Sequence, residues 1–189
     1  MGGMDHLFRN IDERKINLYF ILADLLLSSL LAIIYTNDLF TGYVFVEINT
    51  IAACGMIMIR GSGRSLLAAA RYMVMSLIGS GLFLIGLAML YDITGHLLME
   101  NAHEAMERLV QADAYSVPLL VIISFITVGL AIKSGLYPFH SWMPDAYGHS
   151  TISSSSILSS LVSKSYIILL IKIFYRVIGF ENIVDSKIV

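Results

Sequence analysis

The sequence has a single cysteine, Cys54, so no intrachain disulfide and no multi-cysteine metal or iron–sulfur site can form. Charge is scarce as well. Lys and Arg number 12 and Asp and Glu 14, for a net charge of -2, and charged residues make up 14% of the chain; soluble domains carry roughly 25%. There is no basic excess to neutralise phosphates, no zinc-finger spacing and no glycine-rich phosphate loop, which excludes nucleic acid and nucleotides as partners. No nucleophile is set beside a base and no cofactor motif appears, so no catalytic centre or cofactor is read on this chain. Any redox chemistry belongs to partner subunits.

What is present is apolar. Hydrophobic residues make up 57% of the chain, and its mean hydropathy is +0.78. A helix needs roughly 20 mostly apolar residues to cross the hydrocarbon core. Four runs meet that length, Ile16 to Thr36, Leu39 to Arg60, Ala68 to Tyr91 and Val117 to Phe139, and a fifth extends from about Ile152 to Ile178. The spacing predicts an all-α integral membrane fold, a bundle of five transmembrane helices, with a polar segment over 1–15 before it and a tail over 180–189 after it. The apolar stretch after residue 15 is longer than a signal-peptide core and lacks a cleavage pattern, so it reads as a retained helix.

The connections carry their own signals. Thr36-Asn37-Asp38 and Gly61-Ser62-Gly63-Arg64 are short polar turns, which makes the helices they join antiparallel. Between Asp92 and Ser116, Leu98, Ala102, Met106 and Leu109 recur at helical spacing, with Glu100, Glu104 and Glu107 on the other side. That pattern predicts an amphipathic surface helix over about 97–112. All three prolines cluster around the fourth span; Pro118 opens it, and Pro138 and Pro144 interrupt the segment leading out of it, predicting a broken helix. Arg9, Arg14, Lys15, Arg60, Arg64 and Arg71 fall on one side of the membrane and the acidic connection on the other, which puts the N-terminus in the cytoplasm of a multi-pass cell-membrane protein. Lys172, Arg176 and Lys187 count against that orientation.

Ionisable residues inside apolar runs are costly and mark function or helix pairing. Glu47 lies mid-way along the second run, and Arg71, near the start of the third, is the nearest cation in sequence that could pair with it. The pair is read either as part of an ion path or as a structural tie. Lys133 lies deep in the fourth run, beside Gly135 and Pro138. A desolvated lysine can exchange its proton near neutral pH; the plainer reading is a stem that snorkels to the headgroups. Lys164 lies one span later, 31 residues on, and Ser153, Ser156, Ser160 and Ser163 form a stripe leading towards it, either as a hydroxyl path or as small residues permitting close packing. His140 is a candidate for proton entry, since histidine titrates near neutral pH. His140, Asp145 and His149 fit no zinc signature, so no metal is assigned. Trp142 and Tyr147 read as interfacial belt residues, Lys172 as an interfacial anchor, and Asp24 has no partner to name.

The segment K-S-G-L-Y-P-F-H-S-W-M-P-D-A, Lys133 to Ala146, resembles the signature of the antiporter-like membrane subunits. These comprise the proton-pumping subunits of respiratory complex I, the D and A subunits of Mrp-type Na+/H+ antiporters and their counterparts in membrane-bound hydrogenases. N-D-L-F-x-x-Y-V-F-x-E from Asn37 to Glu47, A-R-Y from Ala70 to Tyr72 and L-S-S-L-V-S-K from Leu158 to Lys164 are similar too. The Mrp D subunit and similar complex I subunits look closest. The resemblance implies one half of an inverted-repeat antiporter-like fold, the first of two five-helix repeats, each with a broken helix. It implies a proton or Na+/H+ translocating subunit of a multi-subunit complex in the lipid bilayer, with the second repeat among its partners. By position it makes Glu47 the ion-pair glutamate, Arg71 its basic partner, Lys133 the broken-helix lysine and Lys164 the lysine that passes the proton on. After Asp145 the family commonly carries prolines, and this chain has Tyr-Gly-His-Ser-Thr-Ile-Ser. A non-transporting structural or assembly subunit is the competing class.

Overall fold

The computed structural model describes residues 13–111 and 116–179. Most of the N-terminal segment over 1–15 and the tail over 180–189 lie outside the described residues, and with them Arg9 and Lys187 of the charge count. Helix α1 covers Glu13–Tyr35, α2 Leu39–Met58, α3 Gly63–Thr94, α4 Met99–Gln111 and α5 Ser116–Ser134. A single 3-10 turn, His140–Trp142, leads into the short α6, Met143–His149. The last helix, α7, runs over Ile152–Ile178 and widens into π turns at Leu158–Val162 and Phe174–Ile178.

Among the described residues, helices α1, α2, α3, α5 and α7 are the five long and apolar enough to cross a membrane. Their outward faces carry Leu18, Leu31, Ile51, Leu66, Val74, Leu77 and Ile171, all exposed. The inner faces carry small and polar groups, including Ser29, Asn49, Thr50, Ser76, Ser80, Lys133 and Ser165. A soluble bundle would bury the first set and show the second; in lipid the assignment is reversed, because acyl chains solvate leucine and not serine.

The polar turns start the helices. Asp38 accepts from the Thr41 amide at the start of α2, Ser62 from Ser65 at the start of α3, and Thr151 from Ser154 at the start of α7. Each satisfies an amide that has no partner inside its helix. At the Asp38 end of the bundle, Leu39 donates to the Leu97 carbonyl and Met99 to that of Asn37, which ties the α1–α2 turn to the α3–α4 connection. Helix α4 buries Met99, Ala102 and Met106 against protein, and His103 Nδ1 meets the Val177 carbonyl at 3.1 Å, so its apolar side caps the end of α7.

Helices α3 and α5 approach closely enough for their backbones to meet. A Cβ on Gly79 would come within 2.8 Å of the Gly129 carbonyl oxygen, and one on Gly129 within 2.7 Å of the Gly79 oxygen. Glycine at both positions lets the backbones touch, the close approach that membrane helices use in place of a hydrophobic drive.

The fourth span ends earlier than its hydropathy implies. The expectation extended it to Phe139, whereas α5 stops at Ser134. Gly135 has φ +71°, a left-handed turn that ends the helix, and Pro138 comes three residues later. The Trp142 indole donates to the Ile132 carbonyl at 3.1 Å, satisfying an acceptor that the break exposes. Trp142 is therefore buried under α6 and is not an interfacial belt residue.

Candidate functional site: a buried carboxylate–lysine pair

Glu47 sits mid-way along α2, and Lys133, one residue before the end of α5, lies opposite Gly79 at the middle of α3. The missing Cβ of Gly79 makes room for the lysine stem; a Cβ there would be 3.2 Å from Lys133 Cγ. The Lys133 side chain is wholly buried, whereas that of Glu47 is 26% exposed. Lys133 Nζ donates to Glu47 Oε1 at 3.0 Å and to Thr50 Oγ1 at 2.7 Å. The Tyr166 ring lies on a further side of the ammonium, its centroid 5.8 Å away, within cation–π range.

Counting protons fixes the direction of each bond. Thr50 has one hydroxyl proton, given to the Val46 carbonyl at 2.9 Å, so its lone pairs accept from Lys133 and from the Tyr166 hydroxyl at 3.4 Å. Ser80 also has one proton but two acceptors in reach, Glu47 Oε1 and the Ser76 carbonyl, the latter at 2.9 Å. Thr50 is a fixed acceptor for the ammonium, and Ser80 is a donor with a choice. A charge pair in a low-dielectric interior holds together strongly only while both charges persist.

The expected Glu47–Arg71 pair does not form. Arg71 bonds Asp145 instead, with its side chain 58% exposed. Arg71 lies nine residues before Ser80, the α3 residue that touches Glu47, and so about 13 Å further along the axis. The expectation paired it across the wrong helix, because Asp145 is 74 residues away and reaches Arg71 only when α6 folds back over α3.

His140 is exposed and stacks on Tyr137, with ring centroids 5.8 Å apart. Lys164 is exposed on α7, its Nζ on the Ser159 carbonyl at 2.7 Å. The serine stripe divides: Ser156 and Ser160 face outward, and Ser163 is buried on the Tyr147 hydroxyl at 2.8 Å. The π turn at Leu158–Val162 changes the register between them. Burial raises the proton affinity of the Tyr147 phenol, and the Ser163 hydrogen bond opposes that shift. Lys172 reaches back to the end of α1, donating to the Ile34 carbonyl at 2.7 Å and to that of Thr36. Among the described residues no three His, Cys, Asp or Glu side chains gather as metal ligands.

Sequence reasoning missed Ser80 and Tyr166, since a hydroxyl in an apolar run carries little signal alone. Thr50 was within reach of it, because a residue three after Glu47 shares its helix face.

Known proteins carry the same arrangement of sequence and helices. Residues 36–188 match the family described as NADH:quinone oxidoreductase/Mrp antiporter, TM. NADH-quinone oxidoreductase subunit N of Desulforudis audaxviator is 33% identical over 150 residues, covering 79% of this chain and 29% of that protein. The Na(+)/H(+) antiporter D subunit of Bacillus subtilis is 28% identical, covering 88% of this chain and 33% of its own length. Among solved structures, a chain of an archaeal membrane-bound sulfane sulfur reductase superposes with a TM-score of 0.76 at 30% identity, covering 88% of this chain and 34% of that one. A chain of the Mrp complex from a Dietzia species gives 0.74 at 27%, covering 83% and 29%. The chain thus spans about a third of the length of the curated relatives it matches. It is a multi-pass membrane protein of all-α fold, and it belongs to the NADH:quinone oxidoreductase/Mrp antiporter family of membrane subunits.

Proposed function

We propose that this chain handles the proton in one half of a translocating subunit, with Lys133 as the group that loads and unloads and Glu47 as the group that controls it. Burial disfavours the ammonium and a neighbouring carboxylate favours it. With Glu47 at hand Lys133 keeps its proton, and when the carboxylate turns away the proton leaves. Arg71 has no part in that motion; Ser80, which already bonds the same Glu47 oxygen as Lys133, is the partner that Glu47 keeps when it leaves the lysine. Lys164, on the outward side of α7, receives the proton or repels it, and passes the change on to the second, inverted repeat supplied by the rest of the complex. A change of one unit in proton affinity is worth about 1.36 kcal/mol, and a charge crossing 100 mV about 2.3 kcal/mol, so modest shifts suffice to couple to a membrane potential. We place the subunit in the cell membrane with α1 starting from the cytoplasm, among other membrane subunits of a complex I-like, Mrp-like or hydrogenase-like assembly.

The observation that carries this reading is the Lys133 ammonium, buried at mid-depth and held by two side chains, Glu47 and Thr50. Lys133→Ala in the complete complex, reconstituted in vesicles with a pH dye inside, should abolish coupled proton uptake and leave assembly intact. Uptake at the normal rate would contradict it. Transport of Na+ in place of H+ by the same site is read out by running the assay in sodium-free buffer.

A structural reading has one observation in its favour: Lys172 and Arg71 both use their charge to tie elements together. On that reading the Glu47–Lys133 pair does the same and the chain is an assembly subunit.

A further inference from the structure

We propose that the Tyr72 hydroxyl is the group through which a proton reaches the Glu47–Lys133 pair, passing along the buried face of α3 by way of Ser76 and Ser80. This rests on reading that pair as the proton carrier. It assigns the route to α3, where the sequence alone pointed to His140 and to the serines of α7.

Tyr72, Ser76 and Ser80 step by four along α3, so they share one face and span about 12 Å of axis. All three are buried, at 1%, 3% and 3% exposure. The inner end is fixed by contact, since Ser80 donates to Glu47. The outer end lies one residue from Arg71, which bonds Asp145 at the exposed surface. There the Tyr72 ring packs under α6 against Trp142, with centroids 5.0 Å apart.

The independent observation is the Tyr72 hydroxyl itself. It lies beside the hydroxyls of Ser76 and Tyr166, with no hydrogen bond of ordinary geometry to either. A buried hydroxyl so loosely held adds little to the stability of a fold, so holding the structure together does not explain it. Its two neighbours lead to the two members of the pair: Ser76 and Ser80 to Glu47, Tyr166 and Thr50 to Lys133. Ser80 bonds both the Ser76 carbonyl and Glu47; in the transfer step it gives its one proton to Glu47 and takes another from the Ser76 hydroxyl, one turn before it on the same face. Each hydroxyl takes a proton on its oxygen and releases its own, so no group on the line changes its net charge once the proton has passed.

The α7 route offers the Tyr147–Ser163 bond beside a cavity of about 370 Å³ lined by Arg60, Thr151 and Ser155. Ser156 and Ser160, which would extend it, point outward.

Tyr72→Phe removes only the oxygen and keeps the ring on Trp142. In the complete reconstituted complex it should slow proton uptake at least about tenfold, as loss of one proton-transfer group does, with the thermal midpoint unchanged or raised. Ser76→Val, which blocks the same line, should be slow as well. Wild-type uptake by Tyr72→Phe beside an inactive Lys133→Ala would overturn the route and leave the carrier reading standing, whereas activity in both variants would remove the carrier reading. A slow Tyr72→Phe with a lowered thermal midpoint would make the tyrosine structural and overturn the proposal. So would a slow Ser163→Val beside a wild-type Ser76→Val, which puts the route on α7.

Discussion

Lys133 and Lys172 are both lysines inside apolar spans, and their surroundings differ in one respect that decides what each can do. Lys172, at the end of the bundle, donates to backbone carbonyls of Ile34 and Thr36. Those acceptors neither titrate nor move, and a cation at the C-terminal end of α1 is favoured by its dipole. Lys133, at mid-depth, donates to the side chains of Glu47 and Thr50. A carboxylate can gain a proton or rotate away, so on the proposed reading the environment of Lys133 has two states where that of Lys172 has one. An intramembrane charge becomes a switch when its partner is itself changeable.

The largest effect that sharpens this contrast is expected from reversing the pair. Glu47→Lys combined with Lys133→Glu keeps two opposite charges side by side, so assembly and thermal stability should recover relative to either single change while vesicle proton uptake stays lost. Uptake restored by the reversal would place Glu47 and Lys133 with the structural ties. A smaller effect is expected at Thr50. Thr50→Val keeps the shape and deletes a hydrogen bond to a charged group worth about 1.5–3 kcal/mol, so uptake should slow by about tenfold, measured at fixed membrane potential; an unchanged rate would mean that Thr50 does not set the state of Lys133. The smallest effect on transport is expected at the other lysine. Lys172→Met should lower the thermal midpoint by about 2–4 °C for each kcal/mol lost, and leave uptake within about twofold if its bonds contribute only the usual 1.5–3 kcal/mol to the fold. A loss of transport there without a loss of stability would erase the distinction.

How far the sequence reveals this depends on the range of each interaction. The five spans are legible because a span is a local property of about 20 residues, and the family signature sits in one uninterrupted stretch, Lys133 to Ala146. Glu47 and Lys133 stand out because a charge in an apolar run is costly and needs a partner. Their partners do not stand out. Arg71 pairs with Asp145 only after the chain breaks at Gly135 and α6 returns over α3, a contact that no periodicity encodes. Trp142 reads as a belt residue from composition, yet the same break gives its indole a carbonyl to bond and buries it. The serine stripe of α7 assumed a uniform helix, and the π turn at Leu158–Val162 splits it into an outward and an inward part. The end of α5 at Ser134 was hidden by the apolar residues that continue past it to Phe139.

The most direct comparison of the two lysines measures proton uptake by Lys133→Ala and Lys172→Ala in the same preparation of the reconstituted complex, each corrected for the amount of assembled complex. The account predicts no coupled uptake in the first and near-normal uptake in the second. Equal rates in the two, whether both normal or both lost, would contradict the claim that Lys133, and not Lys172, carries the proton.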